Sequence, residues 1–294
     1  MNLAVVGCGY WGKNLIRVTS SLEPVSVVAC CHQGDPENAR WVREEYPDVP
    51  LTTDYEAVLT KEGIDCVVIA TPIETHYRLA RSALDHGKHV FVEKPLTRHT
   101  DTARELVKLA DDNDLVLFVG YIFIHHPVFR ELLAIHDESP VEGVRFTWRK
   151  TGDFSEDVVE NLASHDVAMA QRLFGQPHSV TVLDSFQWLG DRNAITVRGS
   201  FADGQMCRID LNRLSPVKRK SVTVVTESDA LWFWSGERLW RFDEATEEFT
   251  KEFESSREPL EIECRAFADA VLDGSDPETD GKFGRKVTET IERI

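Results

Sequence analysis

Over roughly the first 120 positions, short runs of consecutive apolar residues alternate with stretches in which apolar residues recur every three or four places. Leu3 to Val6, Val25 to Cys31, Ile64 to Pro72, Val90 to Val92 and the LVLFVGY run ending at Tyr121 are almost wholly apolar, as strands covered on both faces must be. The intervening KNLIRVTSSL, PENARWVREEY, the short segment begun by Asp54, Glu74 to His86 and DTARELVKLADDND carry helical spacing. Asp35 is the expected N-cap of the second of these and Gly87 the stop of the fourth. So regular an alternation predicts a doubly wound parallel sheet.

After Tyr121 the pattern changes. IFIHHPVFRELLAIH reads as a connector and a helix, VEGVRFTWRK as a strand, and DVVENLASHDVAMAQRLFG as a helix that stops at Gly175. HSVTVLDSFQWL, AITVRGSFADGQMCRIDLN, SVTVVTES and ALWFWSGERLWRFD then show period-two stretches with DG and SG turns, which predicts an open, mostly antiparallel or mixed sheet. A final helix from about Pro259 to Leu272 closes the chain. The expected fold class is α/β in two domains, residues 1–120 around the parallel sheet and residues 121–294 as an α+β domain.

With 294 residues, 42% of them hydrophobic, the chain has ample material for two cores. Fifty acidic against thirty-three basic residues give a formal charge of −17, which opposes nucleic acid and anionic membranes as partners. No apolar run approaches a membrane span, and the start MNLAVVGCG meets glycine too early for a signal peptide, so a cytoplasmic location is expected. The six cysteines are scattered without a CxxC pair, and reduced core residues are expected rather than a disulfide framework or zinc site. One basic island, Arg213 to Lys220, interrupts the acidic surface.

Two stretches carry chemistry. Gly7, Gly9 and Gly12 follow the first strand at G-x-G-x-x-G spacing and open a helix: the first glycine permits a tight turn, the second lets backbone approach a pyrophosphate, and the third lets helix pack on strand. At His32, about twenty residues beyond, the acid that would bond the adenosine ribose is missing. NADP is therefore admissible beside NAD, which is the favoured expectation, and Gln33, Arg40 or Arg43 could approach a 2'-phosphate. The second stretch is HVFVEKPLT, His89 to Thr97, where a buried strand ends in Glu93, Lys94 and Pro95. Ligands of open parallel sheets sit outside the carboxyl ends of the strands, so Lys94 is a candidate for chemistry there.

GCGYWG, ATPIETHYRLARSALDHGKHVFVEKPL, SHDVAMAQRLFG and EPLEIECRAFADAVLDG together resemble the glucose-fructose oxidoreductase and inositol dehydrogenase family (Gfo/Idh/MocA) over nearly the whole length. The resemblance implies an N-terminal Rossmann domain and an NAD(P)-dependent dehydrogenase acting on a secondary alcohol. Lys94 would hold the substrate hydroxyl, and Glu93, Thr71, Pro72 and His76 would line the nicotinamide-ribose region. Tyr10 and Trp11 would join the glycines in binding cofactor, His165 would be the acid/base, and Tyr121, His126 and Asn161 would contact substrate. The chemistry agrees, since the hydroxyl proton needs an acceptor that titrates near neutrality and the developing alkoxide needs a cation.

Two positions depart from the family pattern. Asn161 stands where an acid often lies four residues before the histidine, on the same helical face; an amide cannot raise the basicity of His165. Ile124, followed by His125 and His126, stands where many sugar and inositol enzymes carry arginine, and no metal site is expected there.

GYWGKNL, the His-Pro pair and LSPVK resemble the branch that oxidises UDP-N-acetylhexosamine derivatives. That would give the basic island a diphosphate to bind, against the plainer expectation of a subunit interface or solvated lysines at Lys218 to Lys220. Free-sugar or inositol oxidation is the rival substrate class, and a non-catalytic dinucleotide sensor the rival from another class. Trp232, Phe233 and Trp234 on the open sheet suggest a self-association face for a homodimer or homotetramer.

Overall fold

The computed structural model describes residues 1–34, 36–152, 157–188 and 191–294; the expected capping role of Asp35 lies outside them. The chain divides into two compact units, Met1–Tyr121 with Leu260–Thr288, and Ile122–Pro259 with Glu289–Ile294. The first unit is thus built from two stretches of chain, with Leu260–Thr288 joining it after the intervening residues of the second.

In the first unit β1 (Asn2–Val6), α1 (Tyr10–Ser20), β2 (Ser26–Cys31), α2 (Pro36–Glu45), β3 (Leu51–Thr52), α3 (Tyr55–Thr60), β4 (Cys66–Ile69), α4 (Ile73–Asp85), β5 (His89–Glu93), α5 (Thr100–Asp112) and β6 (Leu117–Gly120) follow the expected alternation. The strands lie in the order β3-β2-β1-β4-β5-β6, all parallel. This order reverses direction of winding at β1, the place where such sheets bind dinucleotides. β1, β4 and β5 are buried almost throughout, as their unbroken apolar runs require. Asp54 caps α3 by accepting from the Ala57 N–H at 3.1 Å. Gly87, at φ +68°, takes the left-handed conformation that ends α4.

In the second unit come α6 (Pro127–Glu138), β7 (Val141–Thr151), α7 (Ser164–Phe174), β8 (Ser179–Trp188), β9 (Asp191–Ser200), β10 (Met206–Asn212), β11 (Leu214–Thr226), β12 (Leu231–Ser235), β13 (Arg238–Asp243) and β14 (Glu248–Glu254). The sheet order is β14-β13-β12-β11-β7-β10-β9-β8, antiparallel at every join except β7 with β10, which is parallel. A mixed sheet is what the period-two stretches predict. Pairing sets Val222 opposite Phe146 and Val224 opposite Val144, and these alternate residues form a buried face.

Where one closing helix was expected, two occur: α8 (Pro259–Asp273) and α9 (Gly281–Ile291). α8 places Phe267 edge-on against Phe91 and Phe118, at 5.6 and 5.7 Å, in the core of the first unit. All six cysteines are buried, and among the described residues none is in a disulfide. Among the described residues no helix is long and apolar enough to cross a membrane.

The apolar trio expected on a self-association face is used differently. Trp234 is buried beside His126 and Phe129 of its own unit, and Phe233 packs on Trp240 and Phe249. Exposed large apolar residues of this sheet are Val182, Leu183, Phe186 and Trp188 on β8, Met206 on β10, Leu214, Val217 and Val225 on β11, and Phe249 on β14.

Candidate active site

Because the first sheet is parallel, the carboxyl ends of its strands share one edge. That edge carries Gly7 after β1, His32 after β2, Thr71 and Pro72 after β4, Glu93 and Lys94 at β5, and Tyr121 after β6. Gly7 has φ +98°, and a Cβ there would lie 2.6 Å from the Ala70 carbonyl oxygen; a Cβ on Gly12 would lie 1.8 Å from the carbonyl oxygen of Gly7. Gly9 is different, since its missing Cβ would meet nothing within 4 Å. The turn is therefore closed at its first and third glycines and open at its second. α1 begins at this open position with no acidic residue in its first turn and no side-chain cap, so its first backbone N–H groups are available to an anion. Tyr10 and Trp11 stand exposed at the same helix start, with ring centroids 5.6 Å apart. These residues fit a dinucleotide pyrophosphate.

His32 is half-buried, and its Nδ1 accepts from the Gly34 N–H at 3.0 Å. In the neutral ring this leaves Nε2 carrying the proton, a donor suited to a ribose or phosphate oxygen. His32→Asp is expected to shift the ratio of NAD to NADP affinity toward NAD by about tenfold, ~1.4 kcal/mol, because a carboxylate bonds the ribose hydroxyls and repels a 2'-phosphate. Fluorescence titration of both dinucleotides checks it; an unchanged ratio removes His32 from the ribose.

His76 is 1% exposed, with Nδ1 2.9 Å from the Pro95 carbonyl oxygen and Nε2 2.8 Å from that of Thr71. Its ring lies between the β5 loop and the β4 turn. Tyr121 is 1% exposed and packs edge-on against Phe283 at 5.8 Å, its buried hydroxyl without a hydrogen-bond partner and its phenol pushed up by burial. Thr71 keeps an accessible position, its hydroxyl bonded to that of Thr75 at 2.7 Å. Glu93 is buried and Lys94 half-buried; burial pushes the Glu93 carboxyl up to about 7, against the attraction of the Lys94 ammonium.

In the second unit His165, on the first turn of α7, is 6% exposed. Its ring stands edge-on to Phe123 at 4.9 Å and lies 5.8 Å from Trp148. The next residue, Asp166, is fully buried, with the Lys220 ammonium 3.5 Å away. The same ammonium lies 3.2 Å from the ring centroid of Phe123 and 3.9 Å from that of Trp148, a cation held over two aromatic faces. Burial pushes Asp166 up to about 6, with Lys220 opposing. His126 caps α6, its Nδ1 accepting from the Val128 N–H at 3.2 Å. Burial and then the Lys220 charge hold it down at about 4, so it is neutral at pH 7.

Phe123, His126, Trp148, Lys218, Lys220 and Trp234 line a cavity of about 310 Å³. That size admits a sugar-sized ligand. Two larger hollows, about 430 and 460 Å³, are lined by the β12–β14 turns and by α5, α8 and α9, and contain none of the expected site residues. The basic island is thus divided by strand alternation: Lys218 and Lys220 face this cavity, whereas Arg219 lies over Phe233. Lys220 is 19% exposed, not the solvated residue that a charge run suggests.

Asn161 needs a further correction. It lies in a π-helical turn, Val159–Ala163, directly before α7, so the α-helical rule that places residues four apart on one face does not apply across it. Ile124 is fully buried and His125 is 1% exposed, consistent with core rather than ligand positions. Sequence reasoning passed over Phe123, Trp148, Asp166 and Lys220 as site residues. One signal was present, because Lys220 continues the inward register of Val222 and Val224, and a lysine at an inward strand position calls for a buried partner.

Residues 1–121 match the model of the Gfo/Idh/MocA oxidoreductase family, described as having an NAD-binding Rossmann fold. A 2,7-anhydro-N-acetylneuraminate hydratase of Mediterraneibacter gnavus is 32% identical over 124 residues, covering 42% of this chain and 32% of that protein. A dTDP-3,4-didehydro-2,6-dideoxy-alpha-D-glucose 3-reductase of Actinomadura kijaniata is 29% identical over 147 residues, covering 49% and 43%. The chain thus spans about a third to just over half the length of the curated relatives it matches. Among solved structures, a UDP-N-acetylglucosamine 3-dehydrogenase from Acidithiobacillus ferrooxidans superposes with a TM-score of 0.91 at 20% identity, covering 100% of this chain and 96% of that one, which shows a shared fold. The open glycine turn and the strand order of residues 1–121 agree with the NAD-binding Rossmann fold by which the matching Gfo/Idh/MocA oxidoreductase family is described, and the family match extends over those residues.

Proposed function

We propose that the chain is an NAD(P)-dependent dehydrogenase that transfers hydride between nicotinamide and a secondary alcohol carbon of a sugar, with a nucleotide sugar such as a UDP-N-acetylhexosamine derivative as substrate. The observation that carries this reading is Lys94, a half-buried lysine at the carboxyl end of a buried strand, on the same sheet edge as the glycine turn. Bound NAD(P) would supply the hydride acceptor in the oxidative direction. Lys94 is assigned the substrate hydroxyl, where its ammonium stabilises alkoxide charge as it develops. His165 is assigned the hydroxyl proton, for which an imidazole is suited near neutral pH.

The nucleotide-sugar assignment draws on Lys218, an exposed cation at an aromatic-walled cavity in a chain of net charge −17. It draws also on relatives whose names specify UDP- and dTDP-sugars. Binding energy taken from a diphosphate remote from the reacting carbon raises rate as well as affinity, so the free sugar is expected to lose both. Raising ionic strength is expected to weaken the nucleotide sugar and leave uncharged polyols nearly unaffected. Nicotinamide absorbance followed with UDP-sugars, free sugars and inositols, at low and high salt, tests this. Equal turnover of uncharged polyols would overturn the nucleotide-sugar assignment, and dinucleotide binding without turnover of any polyol would replace the dehydrogenase with a sensor.

A further inference from the structure

Two sulfurs of the first unit lie closer together than packing alone brings atoms. Cys8 Sγ is 2.7 Å from Cys30 Sγ, which falls between the ~3.5–4.0 Å at which non-bonded heavy atoms settle and the ~2.05 Å of a disulfide. The register of the first two strands explains the approach. Val5 and Val6 of β1 lie opposite Cys30 and Cys31 of β2, and the Gly7 N–H then donates to the Cys31 carbonyl oxygen at 2.8 Å. With Gly7 at φ +98° the chain turns at that point, and the next side chain, Cys8, is set against β2. Cys31 follows Cys30 along the strand, so its side chain points to the other face of the sheet.

The two sulfurs differ in access. Cys30 is fully buried, whereas Cys8 is 3% exposed and stands beside Gly9, where a Cβ would meet nothing within 4 Å. We propose that Cys8 and Cys30 are a redox pair, joined by a peroxide into a reversible disulfide that weakens the dinucleotide site. The Cys8 thiol takes one oxygen from the peroxide to become a sulfenic acid, and the other oxygen leaves as water. The Cys30 sulfur then attacks Cys8, the S–O bond breaks as the S–S bond forms, and the Cys30 proton departs with the hydroxyl as a second water. The hydrogen bond with Cys8, then burial, pushes the Cys30 thiol far up, so Cys30 keeps its proton until that step. Closing the remaining gap draws the turn toward β2. Gly7 is packed on Ala70 and Gly12 on Gly7, so the shift falls on the open position, Gly9, and on the first N–H groups of α1 that are available to an anion. The effect on the site rests on the dinucleotide reading of the turn; the disulfide does not.

The disulfide is read from a peptide map. Wild type is treated with hydrogen peroxide, its remaining thiols are alkylated under denaturing conditions, and the digest is analysed by mass spectrometry without reductant. A peptide pair joining Cys8 to Cys30 is expected, lost again after dithiothreitol, and the denatured protein should titrate two thiols fewer than its original six. Cys31→Ser should keep the cross-link and Cys30→Ala should abolish it. Loss of thiols without the Cys8–Cys30 pair, or no cross-link at any peroxide level that leaves the circular dichroism unchanged, would overturn the redox pair. Should Cys30→Ala fail to fold, the wild-type map decides alone.

The effect on the site is read from binding. After removal of peroxide, fluorescence titration of the oxidised protein with NAD(H) should show about tenfold weaker affinity than the reduced protein, the worth of roughly one hydrogen bond to a charged group. Dithiothreitol should restore it. By reciprocity, saturating NAD(H) should shift the thiol–disulfide equilibrium in a glutathione buffer toward the dithiol by the same factor. Equal affinity in the two forms would overturn the weakening of the site, and so would an equal loss in peroxide-treated Cys30→Ala, which would trace it to another thiol. If neither form binds dinucleotide, the peptide map still decides the disulfide, and that failure counts against the cofactor reading of the turn.

Discussion

Replacing Lys94 with methionine is expected to lower hydride transfer on the order of a thousandfold, while NAD(H) affinity stays within a few-fold of wild type. The separation follows from the architecture of the first unit. The turn closed at Gly7 and Gly12 and open at Gly9 is the expected holder of the pyrophosphate, and it follows β1 whereas Lys94 follows β5. What the ammonium supplies is attraction to oxygen charge that appears only as the alcohol is oxidised, and removing one preorganised group of this kind typically costs 10²–10³ in rate, about 2.7–4 kcal/mol. Single-turnover kinetics beside a fluorescence titration of dinucleotide test it; retention of most of the wild-type rate would remove Lys94 from the chemistry. His165→Ala is expected to cost roughly a hundredfold and to alter the pH profile, as loss of a proton acceptor does.

Lys220→Met should destabilise the protein by ~3 kcal/mol at pH 8 and by much less at pH 5. Lys220 faces a fully buried carboxyl, and removing one member of a buried pair leaves the other uncompensated. The sign follows from Asp166, which burial has already raised to about 6 despite Lys220. A group raised in the folded state is favourable at low pH, and that contribution is lost as pH rises from the unfolded value of about 3.9 through the folded one. Without the ammonium the folded group ionises at still higher pH, so the decline continues beyond pH 6 and the gap to wild type widens. Urea unfolding at pH 5 and pH 8 measures the gap; one that does not widen would mean that Lys220 and Asp166 are not coupled. Adding Asp166→Asn to the variant is expected to recover most of the loss.

What could be read from the residues follows the range of the forces involved. Strand and helix alternation in the first unit, the glycine turn, the Asp54 cap and the Gly87 stop are fixed within a few residues of one another, and all were legible. α9 was not, because Gly281 and Gly284 look like helix breakers. They are there because the helix packs on β6 so closely that a Cβ would lie 2.6 Å from Leu117 at one and from Val119 at the other. The same holds in the second unit. Lys220 reads as one charge among several until pairing places it opposite Trp148 and beside Asp166, residues far away in the chain. Asn161 was assigned a face by α-helical counting that the π turn invalidates. The placing of the His76 ring between the Pro95 and Thr71 carbonyl oxygens joins residues that follow separate strands and was not legible from the motif.

The return of residues Leu260–Thr288 to the first unit bears on how the chain is made. The surface of Phe91 and Phe118 that Phe267 covers belongs to strands synthesised early, yet its cover follows only after the whole of residues 122–259. At the usual pace of ~5–20 residues per second, those aromatic rings wait roughly seven to thirty seconds on the ribosome for their partner. Through that interval the nascent parallel sheet presents an apolar face, the condition in which holding chaperones bind. Fusing α8 and α9 ahead of β1 by circular permutation would let the first unit close before the second emerges.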